Sequence, residues 1–340
     1  MPNQNGVLIL TWKEIDELLD MKEVILSVES AFKEKGAGKV QMPPKIYLNF
    51  ERYIGDLRSM PAYLETADIA GVKIVNVHLK NKSIGLPSVM ATIELIDPKN
   101  GKPLAILDGT KITSYRTGAA SAVATKYLAR KDSKVLGVIG AGTQSRTQVE
   151  AISKVTTLEK IYVYDIDRRA SERLSEYIKE KGIASKVNIE SKIQNVASEA
   201  DILTTLTPSK APILFLKWLK SGVHINAIGA DAPGKQELDP EILKMGKIVV
   251  DDLEQTLHSG EINVPISKGM MNKEDIYAEL GEIVVGKKIG RTSDSEITIF
   301  DSTGLAILDV AVGNLIYQKA IKYKVGTTLD LIDILIDIYS

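Results

Sequence analysis

A glycine-rich string near the middle of the chain has the residue types and spacing of a phosphate-binding turn. It runs Gly140-Ala141-Gly142-Thr143-Gln144-Ser145, between an apolar segment and a segment with helical spacing. In such a turn the first glycine permits a tight bend, and the second lets the backbone approach a pyrophosphate beside a helix start. Ser145 takes the third position, where Gly or Ala is usual. We therefore predict that residues 140–144 bind a dinucleotide; the alternative is a glycine turn without a nucleotide.

An acidic residue follows at the distance that a dinucleotide site requires. The string Tyr162-Val163-Tyr164-Asp165 is predicted to end the next strand, about 20 residues further on, where an acid binds the ribose 2′-hydroxyl of NAD. Asp165 therefore favours NAD as the cofactor. Arg168 and Arg169 follow closely, so some tolerance of NADP stays open, and Arg168 is included in the predicted cofactor site.

Four basic residues before the glycine turn have the chemistry to bind a small carboxylate: Lys45, Arg58, Lys73 and Arg116. Arginine binds a carboxylate in a two-pronged fashion, and lysine supplies a point charge. Lys73 lies in the otherwise apolar strand 70–76, where a charge is costly to bury without a partner. Arg116 is predicted at a helix start. The alternative for each is a side chain that points to solvent.

Polar residues also follow the predicted strands beyond the glycine turn. Asp231, in Ile228-Gly229-Ala230-Asp231, comes after a parallel strand and so lies at the sheet edge where ligands bind. It is a candidate general base or water-orienting group, or simply a turn residue before Pro-Gly. Two further groups either line the cofactor groove or act as caps: Thr205, Thr207 and Pro208, and Asp301-Ser302-Thr303-Gly304.

The elements that position these residues change character along the chain. Two helices are predicted first, one from a capping box at residues 11–14 and one over residues 20–34. Short strands over residues 40–107, with a hairpin turn at residues 98–101, then indicate a mostly antiparallel sheet.

The second part of the chain has a different pattern. An alanine-rich helix over residues 113–130 leads to strands and helices that alternate from residue 134. This alternation is typical of a parallel, doubly wound sheet. A last helix is predicted over residues 305–322.

Composition limits the classes of function. The 340 residues are 44% hydrophobic and 26% charged, which predicts a globular protein of two domains. Lys plus Arg total 43 and Asp plus Glu total 44. The chain is therefore nearly neutral, and neither nucleic acid nor an anionic membrane is expected as a partner.

Cysteine is absent, and the histidines, His78, His224 and His258, lack the spacing of metal ligands. We therefore expect no metal site and expect the histidines to be structural. With no signal-peptide or membrane-span pattern, a cytoplasmic protein is expected.

Several strings, taken together, resemble the ornithine cyclodeaminase/μ-crystallin family. They are Gln41-Met42-Pro43-Pro44-Lys45, Gly71-Val72-Lys73, and residues 55–62, 114–120, 140–144, 229–238, 249–255 and 300–304. The resemblance runs from about residue 8 to residue 325. Lys45 and residues 56–61 match the alanine dehydrogenase branch better, whereas Asp231 is shared with the cyclodeaminases. The apolar tail over residues 330–340 departs from the family, and is predicted to cover an oligomer surface or form an edge strand.

The resemblance implies an α/β protein that works as a homodimer with NAD. A central Rossmann-type doubly wound domain is expected over residues 119–305. An α+β domain for substrate binding and dimerisation, built from both chain ends, is expected over residues 1–118 with 306–340.

The resemblance also implies roles for the residues at matching positions. Lys45, Arg58, Lys73 and Arg116 would surround a small amino-acid or keto-acid substrate. Lys73 would polarise or protonate the substituent of the reacting carbon, and Arg116 would hold the carboxylate. Asp231 would activate water or the amine. The remaining expected cofactor contacts are Thr117, Thr205, Thr207, Ile228, Gly229, Asp231, Ser302, Thr303 and Gly304.

The implied activity is the reversible oxidative deamination of a small L-amino acid: L-alanine, NAD and water give pyruvate, ammonia and NADH. Cyclodeamination of L-ornithine to L-proline with catalytic NAD, and reduction of a cyclic ketimine, stay open as alternatives. A non-catalytic μ-crystallin-like binding protein is a further alternative, against which the presence of Lys73, Arg58 and Asp231 argues.

Overall fold

A computed structural model describes residues 6–331, so most of the predicted apolar tail, residues 332–340, lies outside the described residues. The helices are α1 Trp12–Leu18, α2 Met21–Gly36, α3 Gly109–Leu128, α4 Thr143–Ser153, α5 Arg168–Glu180, α6 Ile193–Glu199, α7 Pro240–Met245, α8 Leu253–His258, α9 Asn263–Ser267, α10 Leu280–Val284 and α11 Ala306–Tyr323. The strands are β1 Val7–Leu10, β2 Val40–Gln41, β3 Ile46–Phe50, β4 Gly55–Leu64, β5 Ile69–His78, β6 Val89–Ile96, β7 Pro103–Asp108, β8 Val135–Ile139, β9 Lys160–Tyr164, β10 Lys186–Ile189, β11 Ile202–Thr205, β12 Lys210–Leu214, β13 His224–Ala227, β14 Gln236–Leu238, β15 Lys247–Val250, β16 Ala278–Glu279, β17 Thr298–Asp301 and β18 Thr327–Leu329.

The described chain divides into two compact units. The first comprises residues 6–27, 39–113 and 306–331, and the second comprises residues 28–38 and 114–305. Within residues 6–331, none of the helices has the length and apolar character needed to cross a membrane.

Residues 28–38 group with the second unit, whereas their sequence predicted them in the first domain. Polar contacts of this segment with the rest of the second unit explain the difference. The Nζ atom of Lys35 lies 3.0 Å from a carboxylate oxygen of Asp252 and 2.5 Å from one of Glu279. Nearer the middle of α2, the Glu29 carboxylate accepts a hydrogen bond of 2.6 Å from the hydroxyl of Tyr127. Burial, together with the Glu29 carboxylate, raises the pKa of Tyr127 to about 12, so the phenol keeps its proton.

The first unit is built on the predicted, mostly antiparallel sheet, with strand order β18-β1-β7-β6-β5-β4-β2 and β3 paired with β4. Among the described strands of this sheet, one pair is parallel, that of β1 with β7. Strand β1 was not predicted. Alternate residues of β4 are buried, from Arg58 through Met60 and Ala62 to Leu64. Helix α11 packs on β4, β5 and β6. The sheet therefore has one covered face, as its alternating pattern requires.

The second unit contains the predicted parallel sheet, with strand order β10-β9-β8-β11-β13-β17-β15-β16. The chain runs from β8 to β9 and β10 on one side, and then returns to β11 on the other side of β8. Ligands bind outside the carboxyl ends of the strands at such a switch point. Within this sheet His224 contacts Thr298 and Asn226, and burial, helped by the charge of Arg291, lowers the pKa of His224 to about 3. This histidine therefore stays neutral inside the sheet.

Candidate functional site

The glycine turn follows β8 directly and needs glycine at its first position. Gly140 has a φ of +99°, in the left-handed region. A Cβ atom at Gly140 would lie 3.1 Å from the carbonyl carbon and oxygen of Leu206, so the turn also packs closely against the loop after β11. Ser145 is fully buried and its hydroxyl donates to the Gly142 carbonyl oxygen at 2.6 Å. The serine therefore fits where a glycine or alanine is usual.

Gly142, the second glycine of the turn, borders open space, and no neighbouring atom requires a glycine there. A Cβ atom at Gly142 would meet no atom within 4 Å, and Gly142 caps α4 without a side-chain hydrogen bond. Thr143 and Gln144 form the start of α4. The uncapped N–H groups and the positive end of the helix dipole attract an anion. The residues present therefore fit the pyrophosphate of a dinucleotide.

Asp165, the predicted ribose ligand, lies beside this turn at the end of β9. Its carboxylate accepts hydrogen bonds from the backbone N–H of Ala141 at 2.6 Å and of Asp167 at 2.8 Å. Arg168 begins α5 and forms an exposed ion pair of 3.1 Å with Glu172. The structure thus brings the acid together with the glycine turn, whereas the Arg168 side chain contacts its own helix.

The loops after β11 and β13 bring further predicted residues to the same sheet edge. The Ile228 N–H donates to the carbonyl oxygen of Thr205 at 3.1 Å, which extends the parallel pairing beyond the strands. Thr207 and Gly229 follow, and both donate backbone hydrogen bonds to Glu237, a buried acid that the sequence analysis did not select. Four predicted cofactor residues therefore lie on adjacent strand ends.

Asp231 lies four residues before Lys235 and is ion-paired with it. The Nζ atom of Lys235 is 2.5 Å from Asp231 Oδ1, and the Asp231 side chain is 40% exposed. A carboxylate at the carboxyl edge of the sheet with this exposure can contact water or a ligand, so the chemistry required of a general base is available. The Lys235 partner was not predicted.

The loop over residues 302–304 is held by Asp251, a second buried acid that the sequence analysis did not select. The Asp251 carboxylate accepts from the Ser302 hydroxyl at 3.0 Å and from the N–H groups of Thr303 and Gly304, each at 2.7 Å. Asp251 is fully buried and follows β15. A carboxylate at the end of an apolar strand is the sequence signal that would have identified it.

Arg116 lies inside α3 and not at a helix start, because the helix begins at Gly109. The threonines of its first turns obscured this start, since β-branched residues have low helix propensity. Only 7% of Arg116 is exposed, so the alternative of a surface arginine is wrong. A Cβ atom at Gly304, whose φ is +81°, would lie 2.7 Å from the guanidinium of Arg116. The next residue of α3, Thr117, is also buried, and its carbonyl oxygen accepts from Gln148 of α4 at 3.3 Å.

In the first unit, Lys73 is buried against an acid of the last helix. Its Nζ atom lies 2.6 Å from Oδ2 of Asp309, and the two side chains are 1% and 0% exposed. The solvent-facing alternative for Lys73 is therefore wrong. Asp309 was not predicted, because its local sequence is that of an apolar helix and does not show that the helix packs on β5.

Arg58 shares a sheet face with Lys73. Met60, two residues after Arg58 in β4, is paired directly with Lys73 in β5, and alternate residues of a strand point to the same face. Arg58 is 8% exposed, and its guanidinium contacts both oxygens of Asp56 at 3.0 Å. Lys45, half-buried, precedes β3. The first unit therefore brings two of its three predicted cations to one buried face, and the surface alternative for Arg58 is wrong.

The chain is similar to known proteins over most of its length. The chain matches the family model described as the ornithine cyclodeaminase/mu-crystallin family over residues 6–324. It is 51% identical over 322 residues to an alanine dehydrogenase of Archaeoglobus fulgidus, covering 95% of this chain and 98% of that protein.

Two solved structures are also similar over nearly the whole chain. An archaeal alanine dehydrogenase dimer with bound NAD has a TM-score of 0.92 at 50% identity, covering 96% of this chain and 100% of that one. The Δ1-pyrroline-2-carboxylate reductase of Thermococcus litoralis, in complex with NADH and L-proline, has a TM-score of 0.92 at 42% identity, covering 95% and 100%. These structures confirm the predicted fold class.

Replacing Lys73 with methionine should destabilise the protein more than replacing Lys73 and Asp309 together. The variant Lys73→Met removes the ammonium that compensates a buried carboxylate, and breaking such a pair costs about 3–5 kcal/mol. The double variant Lys73→Met/Asp309→Leu removes both charges and should recover most of that loss. Chemical denaturation of the three proteins measures the difference. Equal losses in the single and double variants would contradict the compensating role of the pair.

Proposed function

The chain belongs to the ornithine cyclodeaminase/mu-crystallin family, and on that premise we propose that it is the NAD-dependent dehydrogenase of a small L-amino acid, L-alanine. It is an enzyme of this family and uses NAD, as the relatives do. The observation that carries the substrate proposal is the higher identity to the alanine dehydrogenase structure, 50%, than to the pyrroline-carboxylate reductase structure, 42%.

The proposed reaction converts L-alanine, NAD⁺ and water into pyruvate, ammonium, NADH and a proton, reversibly. NAD, when bound, accepts the hydride from the α-carbon of the amino acid. The open space at Gly142 and the N–H groups at the start of α4 would hold the pyrophosphate, and Asp165 would bind the ribose. These are the residues by which the chain binds and orients the cofactor.

The substrate carboxylate is proposed to bind to arginine. Arg116 and Arg58 are both nearly buried, and a guanidinium in such surroundings binds a carboxylate through two parallel hydrogen bonds. Asp56 holds the Arg58 guanidinium in place, and Gly304 leaves room for the guanidinium of Arg116 beside it. Lys45, which is half-buried, adds positive charge to the proposed site.

Lys73 and Asp231 are proposed to manage the protons. The Lys73 ammonium is held in one orientation by Asp309 at 2.6 Å, so it can hold or return a proton at the nitrogen or oxygen of the reacting carbon. Asp231 is half-exposed and takes the proton of the attacking water. A fixed donor and an accessible acceptor are the two groups that the addition of water and the loss of ammonia require.

Reduction of a cyclic ketimine is the second candidate. It is supported by the similarity to the Thermococcus litoralis reductase, which has the same TM-score of 0.92 although its identity is lower. Such a reaction consumes NADH without releasing ammonia. Cyclodeamination of ornithine would release ammonia without net NADH, so a measurement of both products distinguishes the three reactions.

We expect L-alanine with NAD to yield NADH and ammonia in equal amounts. The measurement is a panel of amino acids, including L-ornithine and L-proline, that follows NADH absorbance and ammonia together. Pyruvate with ammonia and NADH should run the reaction in reverse, and pyrroline-2-carboxylate serves as the competing substrate. NADH absorbance that stays flat with alanine, and with pyruvate plus ammonia, would refute the alanine proposal.

We expect Lys73→Ala to abolish turnover while NADH binding persists, because Lys73 acts on the substrate and not on the dinucleotide. The matched control is Lys73→Met/Asp309→Leu, which removes the ammonium without leaving its buried counter-charge behind. Both variants should bind NADH with a Kd within about twofold of the original protein. A double variant that keeps the original rate would show that the role assigned to Lys73 is wrong.

The enzyme is also proposed to be a homodimer, as is the similar archaeal alanine dehydrogenase. The face of the first sheet opposite Arg58 carries exposed apolar side chains that adjoin in register. Ile46 of β3 and Ile74 of β5 are both paired with Ser59 of β4, and they are 63% and 39% exposed; Leu48 of β3 is 56% exposed. Contiguous apolar surface of this kind is typical of subunit interfaces.

The variant Ile46→Lys/Ile74→Lys should convert the dimer to a monomer, since two charges would have to be buried in an apolar interface. Light scattering after size-exclusion chromatography should then give a mass near 37.1 kDa instead of twice that value. Met245→Lys, at an apolar residue of the second unit that is 68% exposed, is the control and should leave the mass unchanged. A dimer that persists in the double-lysine variant would place the interface elsewhere.

A further inference from the structure

Glu237 is a fully buried acid whose two carboxylate oxygens bind the backbone of two different loops. It lies in β14, which pairs with β12 in a small parallel sheet. One oxygen accepts the N–H of Thr207 at 2.7 Å, and the other accepts the N–H of Gly229 at 3.0 Å. The carboxylate therefore bridges the loops that follow the adjacent strands β11 and β13.

The bridge extends to the glycine turn. A Cβ atom at Gly140 would lie 3.1 Å from the carbonyl oxygen of Leu206 and 3.1 Å from the methyl group of Thr207, so the loop after β11 lies directly against the turn. On the other side, a Cβ atom at Gly229 would lie 2.3 Å from Glu237 Oε2. Glycine at position 229 is thus required for the carboxylate to approach its backbone.

A second buried acid supports Glu237 from behind. Glu261 is also fully buried, and its carboxylate accepts the N–H groups of Glu237 at 3.0 Å and of Leu238 at 2.9 Å. Placing two carboxyl groups where no water reaches them is costly. Core packing alone would be satisfied by apolar side chains, so the acids point to a requirement for backbone acceptors at this place.

We propose that Glu237 is a positioning residue for the dinucleotide, which holds the loops at residues 205–207 and 228–231 in the geometry that receives NAD beside Gly140. The inference rests on the placement of NAD at the glycine turn. It does not depend on which amino acid is oxidised, because NADH binding can be measured without any amino acid.

The protonation of Glu237 makes the bridge sensitive to pH. Burial raises the pKa of Glu237 from 4.5 to about 7, against the opposing effect of the hydrogen bonds from Thr207 and Gly229. Between these values the folded protein keeps a proton that the unfolded chain has lost, so this group's contribution to stability falls as the pH rises to about 7. The bridge, in contrast, has two full acceptors only above about pH 7. Glu261 lies beside Glu237, and Asp301 lies beside Glu261. Burial raises the pKa of Glu261 well above its ordinary value and the pKa of Asp301 to about 8.

The test is the variant Glu237→Gln, which keeps the size of the side chain but replaces one acceptor oxygen with a donor. We expect the Kd for NADH, measured by fluorescence, to rise about tenfold at pH 8, since one buried hydrogen bond is lost and a donor faces a donor. Glu241→Gln, at an exposed acid of α7, is the matched control and should bind NADH as the original protein does. A folded Glu237→Gln protein with an unchanged Kd would overturn the proposal.

The pH profile separates positioning from a merely structural role. In the original protein the affinity for NADH should increase as the pH rises through about 7, and this step should be lost in Glu237→Gln. The same step in both proteins would assign it to Glu261, Asp301 or another group and would overturn the proposal.

A measurement on the unaltered enzyme covers the case in which the variant does not fold. Hydrogen exchange at pH 8 should show the amides of Thr207 and Gly229 as protected before NADH is added, because both are bonded to the buried carboxylate. Exchange of these amides at the rate of exposed loops would show that the bridge is not formed, and the proposal would fall.

Discussion

The buried ion pair between Lys73 and Asp309 joins the sheet of the first unit to its last helix. An ammonium group inside an apolar sheet is tolerated only when a counter-charge reaches it, and here the two groups are 2.6 Å apart with almost no exposure. The requirement decides where the last helix must lie. Helix α11 packs on β4, β5 and β6. A late segment of the chain therefore covers a sheet that earlier segments form. The burial of Lys73 and the packing of the last helix on the sheet thus have one physical cause.

The second unit meets the same requirement in another way. Its buried acids at the carboxyl edge of the parallel sheet bind backbone N–H groups: Asp251 holds the loop at residues 302–304, and Glu237 bridges Thr207 and Gly229. Loops at this edge have few regular backbone partners, and a carboxylate supplies two acceptors at once. Rigid loops at a ligand site reduce the entropy that must be lost on binding. Buried acids that order such loops can therefore influence how well a ligand binds.

Much of the fold could be predicted because its signals are local. The strands over residues 45–107 and the alternation after residue 134 were identified from periodicity, and the structure has strands in both regions. Strands β1 and β10, of four residues each, were not predicted, although the equally short β11, β13 and β15 were. The start of α3 was placed four residues too late because threonines precede its alanine-rich part. Residues 28–38 were predicted in the first domain and group by contacts with the second unit, where Lys35 pairs with Asp252 and Glu279, which are distant in the chain.

In the candidate site, too, some features have local sequence signals and others depend on residues distant in the chain. The sequence by itself determined the glycine turn, with Asp165 one strand further on, because a tight bend and an adjacent parallel strand leave their marks within a few residues. It also identified Lys73, Arg58 and Arg116 as cations of interest, but left open whether each is buried. Only the tertiary structure decided that they are, and that Asp309, Asp251 and Glu237 hold the neighbouring groups. The reason is physical: the spacing of residue types records which side chains avoid water, whereas the energy of a buried charge depends on a partner a few ångströms away that any part of the chain can supply.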